Sequence, residues 1–193
     1  MKNLIAHSLI LTALLMSLAG CISSKSYVDP TFSKTTYADI KHTAKPRKWN
    51  ITVEFLRQGV PSPSVDIALL KEVDQVVQAS GMAVPVAEPT GATLNVVVNN
   101  FGDTLTAVAK DFGTGLTLGF VGNTVTDHYE MTVTLTENGT VITKGGYQGA
   151  LHTTIGNTTG PAGVEPLPTS TAFNKIVEQM LLNALGDLQK KGL

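Results

Sequence analysis

WNITVEFL, residues Trp49–Leu56, is the stretch on which the fold assignment turns. Trp49, Ile51, Val53 and Phe55 alternate with Asn50, Thr52 and Glu54, the period-2 pattern of a strand with one buried face. Gly59-Val60-Pro61-Ser62-Pro63 ends that strand, and Ser64 stands where a helix over about 65–80 needs an N-cap. Val65, Leu69, Val73, Val76 and Val77 form its apolar stripe, Lys71, Glu72, Asp74, Gln75 and Gln78 its polar remainder, and Gly81 its stop. A second strand follows at about 93–101 through Leu94-Asn95-Val96-Val97-Val98, and a third at about 126–136 with Tyr129, Met131, Val133 and Leu135 on one face. Asn138-Gly139 signals a two-residue hairpin turn into a fourth strand over 140–151, where Gly145-Gly146 suggests a bulge or bend. After a Gly-, Pro- and Thr-bearing loop, Ser170 can cap a last helix over about 171–190. Phe173, Ile176, Val177, Met180, Leu181, Ala184, Leu185 and Leu188 recur there at i, i+3, i+4 spacing. The order β-α-β-β-β-α predicts an α+β fold: a mostly antiparallel sheet of about four strands with two helices packed on one face. The first two strands, joined through a helix, can run parallel with a right-handed crossover.

Upstream of this body, residues 22–48 are rich in Ser, Thr and Lys without sustained apolar periodicity, which predicts a flexible tether. A random chain of that length spans roughly 30 Å. Lys41, Lys45, Arg47 and Lys48 make its end basic, suited to solvent or to anionic headgroups. Residues 1–20 read as a cleaved signal peptide: Lys2, then the apolar run Leu9-Ile10-Leu11-Thr12-Ala13-Leu14-Leu15-Met16, shorter than the about 20 residues that span a bilayer. The chain thus divides into a signal peptide (1–20), an anchor and tether (21–48) and a single domain (49–193).

Leu18-Ala19-Gly20-Cys21 resembles the lipobox of bacterial lipoproteins, in which a leucine and two small residues precede a cysteine. The resemblance implies that Cys21 becomes the mature N-terminus, linked by a thioether to diacylglycerol and N-acylated, palmitate being a representative chain. Ile22 and Ser23, rather than Asp, follow the cysteine, which in enteric-type bacteria implies sorting to the outer membrane with the body in the periplasm. The order of elements behind that motif is similar to the layout of YajG-type and LptE-like small periplasmic lipoproteins. That layout implies a compartment and a fold more than an activity.

Composition narrows the partners. Of 193 residues 42% are hydrophobic and 15% charged, with 14 basic and 15 acidic side chains. Removing residues 1–20 takes away Lys2 and no acid, so nothing basic enough to favour nucleic acid remains. The expected partners are the membrane, through acyl chains on Cys21, and an envelope protein, lipid or glycan. One cysteine allows no internal disulfide. HExxH, CxxC and GxSxG are absent, so no catalytic, metal or cofactor site is expected. A hydrolase with an unfamiliar site would have to draw on His128 and His152 with Asp127 or Glu130, His42 lying in the tether. With Glu137 opposite Thr140, strand alternation puts His128 and His152 on opposite faces of the hairpin unless a bulge at Gly145-Gly146 reverses the parity.

The segment 105–125 contains Phe112-Gly113-Thr114-Gly115-Leu116-Thr117-Leu118-Gly119-Phe120-Val121-Gly122 and supports three readings. It is a Gly-rich connection under the domain, a surface that inserts into lipid or joins subunits of a membrane-associated oligomer, or a phosphate loop. Gly115 and Gly119 match small-xxx-small spacing. Gly113, Gly115 and Gly119 miss GxGxxG by one residue, and the Walker lysine is absent.

Overall fold

A computed structural model describes residues 24–89, 91–102, 124–155 and 158–191. Strands β1 (Ser24–Val28), β2 (Arg47–Arg57), β3 (Val60–Pro61), β4 (Ala83–Val86), β5 (Ala92–Gly102), β6 (Thr124–Glu137) and β7 (Thr140–Ile155) form one sheet in the order β1-β7-β6-β5-β2-β3. β4 pairs with β2 at the other end of that strand. Helices α1 (Asp66–Ser80) and α2 (Thr169–Lys190) pack on one face, α1 over β2 and β4, α2 over β7 and β1, and each on the other. No described helix is long and apolar enough to cross a membrane.

The expectation of about four mostly antiparallel strands is corrected to a seven-stranded mixed sheet. β2 runs parallel to both β4 and β5, while β5, β6, β7 and β1 are antiparallel neighbours. The parallel pairing of β2 and β5 follows from the helical crossover. β3 and β4 escaped the pattern because each is two to four residues long and contains a proline, which short edge positions tolerate.

Alternation in the long strands sorts the core. Trp49, Ile51, Phe55, Leu94, Val96, Val98, Tyr129, Met131, Val133 and Leu135 are buried beneath the helices. Leu69, Val73, Val76 and Val77 from α1 and Ile176, Val177, Met180, Leu181, Leu185 and Leu188 from α2 close over them. Phe173 stacks edge-on against Phe55 and Tyr129, with ring centroids 5.9 and 6.4 Å away. On the uncovered face Asn95 donates to Thr52 (3.0 Å), and Thr134 and Thr143 bond each other (3.1 Å). α1 begins one residue beyond Val65 without a side-chain cap, and Ser64 does not serve as one. Asp66 instead accepts the backbone N–H of Phe55 at 2.8 Å, tying the helix start to β2.

The expected tether is also corrected. β1 pairs antiparallel with β7, Ser24 opposite Ile155 and Val28 opposite Leu151. The chain then runs along α2, held by amide side chains of the helix. Gln179 Nε2 donates to Asp29 O (3.1 Å), and Asn183 accepts from Lys34 N (3.1 Å) while donating to Phe32 O (2.8 Å). Gln189 accepts from Lys41 N (2.9 Å) and donates to Lys41 O (2.8 Å). Ile40 is buried in the core. The segment therefore docks largely through backbone hydrogen bonds, which carry no apolar periodicity, and the described folded body already includes Ser24.

At Gly149 the side chains of α2 press directly on the sheet backbone. A Cβ there would stand 2.7 Å from Ile176 Cγ1 and 2.9 Å from its Cδ1. Gly149→Val is accordingly expected to destabilise the protein by about 1–3 kcal/mol through overpacking. Urea unfolding reads this as a lower midpoint at unchanged slope, and a midpoint equal to wild type would show that α2 can lift without cost.

Candidate functional site

Cys21 lies outside the described residues, as do 1–20 and most of 105–125. Of the sequence candidates within the structure, the histidines are the most changed. Glu137 does pair with Thr140, and the register holds to Val133 opposite Lys144. Between Met131 and Val133 it slips, so that Met131 faces Tyr147, His128 faces Ala150 and Thr126 faces His152. The extra residue sits at Gly145-Gly146, where Gly146 adopts φ +79°, a bulge conformation that a side chain disfavours. His128, Glu130 and His152 therefore share the face away from the helices, with the histidines diagonal neighbours. The opposite-face expectation is overturned by that bulge.

The contacts of His152 lead to the segment after β1. His152 is 3% exposed, its Nδ1 3.0 Å from Thr126 Oγ1 and its Nε2 3.7 Å from Asp29 Oδ2. Asp29 Oδ1 accepts from Thr31 N (2.9 Å) and Thr31 Oγ1 (2.7 Å), capping the turn Pro30–Phe32. Burial pushes the Asp29 carboxyl upward, but His152 and the two Thr31 bonds outweigh it and hold the pKa below the usual value. Gly160 packs so tightly on the Tyr27 ring that this face is closed around Asp29 and His152. The chain Thr126–His152–Asp29 is thus a buried fastener joining β1 to the sheet. His42 lies against Gly81 at the opposite end of the sheet. Among the described residues, no three His, Cys, Asp or Glu side chains gather where a metal ion could be held.

An open, ligand-sized cleft lies on the other face, between the helices. Its volume of about 490 Å³ is bounded by Glu72 of α1, by Asn174, Lys175 and Glu178 of α2, and by Val164 and Leu167 of the preceding loop. That is within the size range of small-molecule pockets. Glu72, expected on the polar face of α1, is only 8% exposed. It flanks the stripe of Leu69, Val73 and Val76, and that edge of α1 is covered by α2. Burial, and then the charge of Glu178, raise the Glu72 pKa, with Lys175 and Lys71 acting in the opposite direction. Tyr37, whose phenol is pushed up to about 12 by burial and by Glu178 and Glu72, reports the same negative field. Lys175 is held by Glu178 within one turn of α2. Sequence periodicity shows that Glu72 adjoins the stripe but not that a second helix covers it.

Comparison with protein-family models and with curated proteins returned no match. Among solved structures, the chain is similar to a dodecamer of a PelC point variant from Paraburkholderia phytofirmans at 12% identity, covering 83% of this chain and 94% of that one, with a TM-score of 0.38. An uncharacterized protein aligns at 13% identity over 79% of this chain and 94% of its own, with a TM-score of 0.28. Likeness at that level carries no argument about fold, assembly or activity.

Proposed function

We propose that this is a lipid-anchored cell-envelope protein, held in the outer membrane by acyl chains on Cys21, whose periplasmic body is a non-enzymatic binding or accessory factor. The observation that carries the reading is the lipobox-like Leu18-Ala19-Gly20-Cys21 standing immediately before a folded strand. Two residues, Ile22 and Ser23, separate Cys21 from Ser24, a reach of at most about 11 Å over three Cα–Cα steps. An acylated Cys21 therefore keeps the sheet close to the bilayer instead of standing it off on a tether.

Topology favours one end of the sheet as the end turned to lipid. β1 starts, β7 ends and β6 starts at that end, where Ser24 pairs with Ile155 and Thr124 with Thr154. The chain leaves β5 at Gly102 at this end too, and the β2–β3 turn brings Val60 there. Val60, Val125 and Ile155 are exposed apolar residues, and Lys25 and Arg57 are exposed cations suited to anionic headgroups. Gly102 and Thr124, the described residues that bracket the apolar Gly-rich segment 105–125, both lie at this end, which favours the reading in which that segment enters lipid beside the acyl chains.

Growth with an alkyne analogue of palmitate is expected to label the purified protein at Cys21. With Trp49 buried, a reporter in Leu118→Trp is expected to be quenched by brominated lipids. Absence of label overturns the anchor. Label without quenching keeps the anchor and removes the segment from the bilayer.

A further inference from the structure

The cleft between α1 and α2 holds a carboxylate that the fold leaves without a partner. Glu72 is more than nine-tenths buried, lines the cavity, and makes no hydrogen bond or ion pair among the described residues. The nearby cation, Lys175, is engaged by Glu178 and is half exposed. The carboxyl group opens on the cleft, and a cation entering there offsets the cost of partly removing that charge from water. Glu165 and Glu178 line the same space, so three carboxylates share the cleft with the Lys175 ammonium, while Lys71 acts on Glu72 from α1 itself. Val28, Val164 and Leu167 supply an apolar wall beside them.

We propose that this cleft binds an alkyl-ammonium or guanidinium group, with the head at Glu72 and the methylene stem against Val28, Val164 and Leu167. Long cationic side chains carry this combination of apolar stem and charged head. Two sources present it, a free diamine or a lysine or arginine side chain of a protein. The proposal rests on the reading of the body as a binding factor but not on the anchor, so loss of acylation leaves it untouched.

The test uses the full mature protein in detergent, titrated with cadaverine, with N-acetyl-lysine methylamide and with N-acetyl-arginine methylamide, while the Glu72 side-chain carboxyl signal is followed by NMR. Saturable shifts at Glu72 are expected, and they should strengthen as pH rises and Glu72 ionises. Glu178, Glu165, Lys175, Lys71 and Tyr37 face the same group, so Glu178→Gln is titrated alongside Glu72→Gln. Glu72→Gln, which keeps the side-chain shape, is expected to weaken binding at least about 10-fold, the loss expected for a charged hydrogen bond, and to keep or raise the Tm. Glu178→Gln, which removes only the charge nearer the rim, is expected to weaken it less. Tighter binding of the amino-acid derivatives assigns the occupant to a protein side chain, and equal or tighter binding of cadaverine assigns it to a free amine. No saturable shift in the wild type up to high millimolar ligand, or equal affinity in Glu72→Gln, overturns the proposal.

Discussion

Cys21→Ala is expected to move the protein from the membrane pellet to the soluble fraction, lowering the pelleted share by at least about 100-fold. The magnitude follows from the anchor: each buried methylene contributes about 0.8 kcal/mol, and several acyl chains exceed the marginal hold of a single one. Nothing described in the folded body replaces them. Val60, Val125 and Ile155 stand apart on three different strands, and no described helix spans a bilayer. With Cys21 changed, the remaining attraction is that of scattered apolar residues and of Lys25 and Arg57, which salt weakens. Fractionation at low and high salt, with immunoblotting of pellet and supernatant, measures the effect. A pellet share unchanged at high salt would place the anchor elsewhere, with segment 105–125 the next candidate.

Asp29→Ala is expected to destabilise the folded body by about 3 kcal/mol or more. Removing a buried carboxylate leaves the donors that point at it unsatisfied, at about 1–3 kcal/mol each. Here the change leaves His152 buried without its carboxylate and deprives Thr31 N and Oγ1 of their acceptor. At about 2–4 °C per kcal/mol for a chain of this size, the Tm should fall by roughly 6–12 °C. The same carboxylate sets an acid limit. Because the folded pKa of Asp29 lies below the unfolded value, near 3.9, its contribution is complete above that pH and disappears as pH falls through the folded pKa. Wild type should lose stability on acidification below about pH 4. Asp29→Asn, already lacking the charge, should show a shallower loss over the same window. Urea unfolding at pH 7, 4 and 3 measures both, and parallel slopes for the two proteins would remove Asp29 from the acid response.

The segment fastened by Asp29 also shows where sequence reading fails. Residues 24–41 carry no sustained apolar period because they dock on β7 and, by backbone hydrogen bonds, on Gln179, Asn183 and Gln189 about 150 residues away, with only isolated apolar contacts such as Tyr27 and Ile40. The trace they leave in the sequence lies in α2, where Gln179 and Asn183 adjoin the apolar positions Met180 and Leu182. An amide at the border of an apolar stripe is a detectable sign of a strand or loop laid along a helix, although it does not name the loop. Glu72 is the corresponding sign for the interhelical cleft. The histidines fail for a different reason. Their parity depends on one residue inserted at Gly145-Gly146, and two adjacent glycines are compatible with a bulge or a bend.

Sequence by itself determined the long elements: β2, β5, β6, the Asn138-Gly139 turn and both amphipathic helices. In each, local periodicity and turn chemistry state which face is buried whatever covers it. It also carries the lipobox-like motif, whose reading depends on order alone. Tertiary structure decided the rest: the mixed sheet of seven strands, the docked segment before Trp49, the shared face of His128 and His152, and the burial of Glu72. Each of these depends on distant backbone groups meeting, or on one element covering the edge of another, and neither leaves a repeating signal in the chain that supplies it.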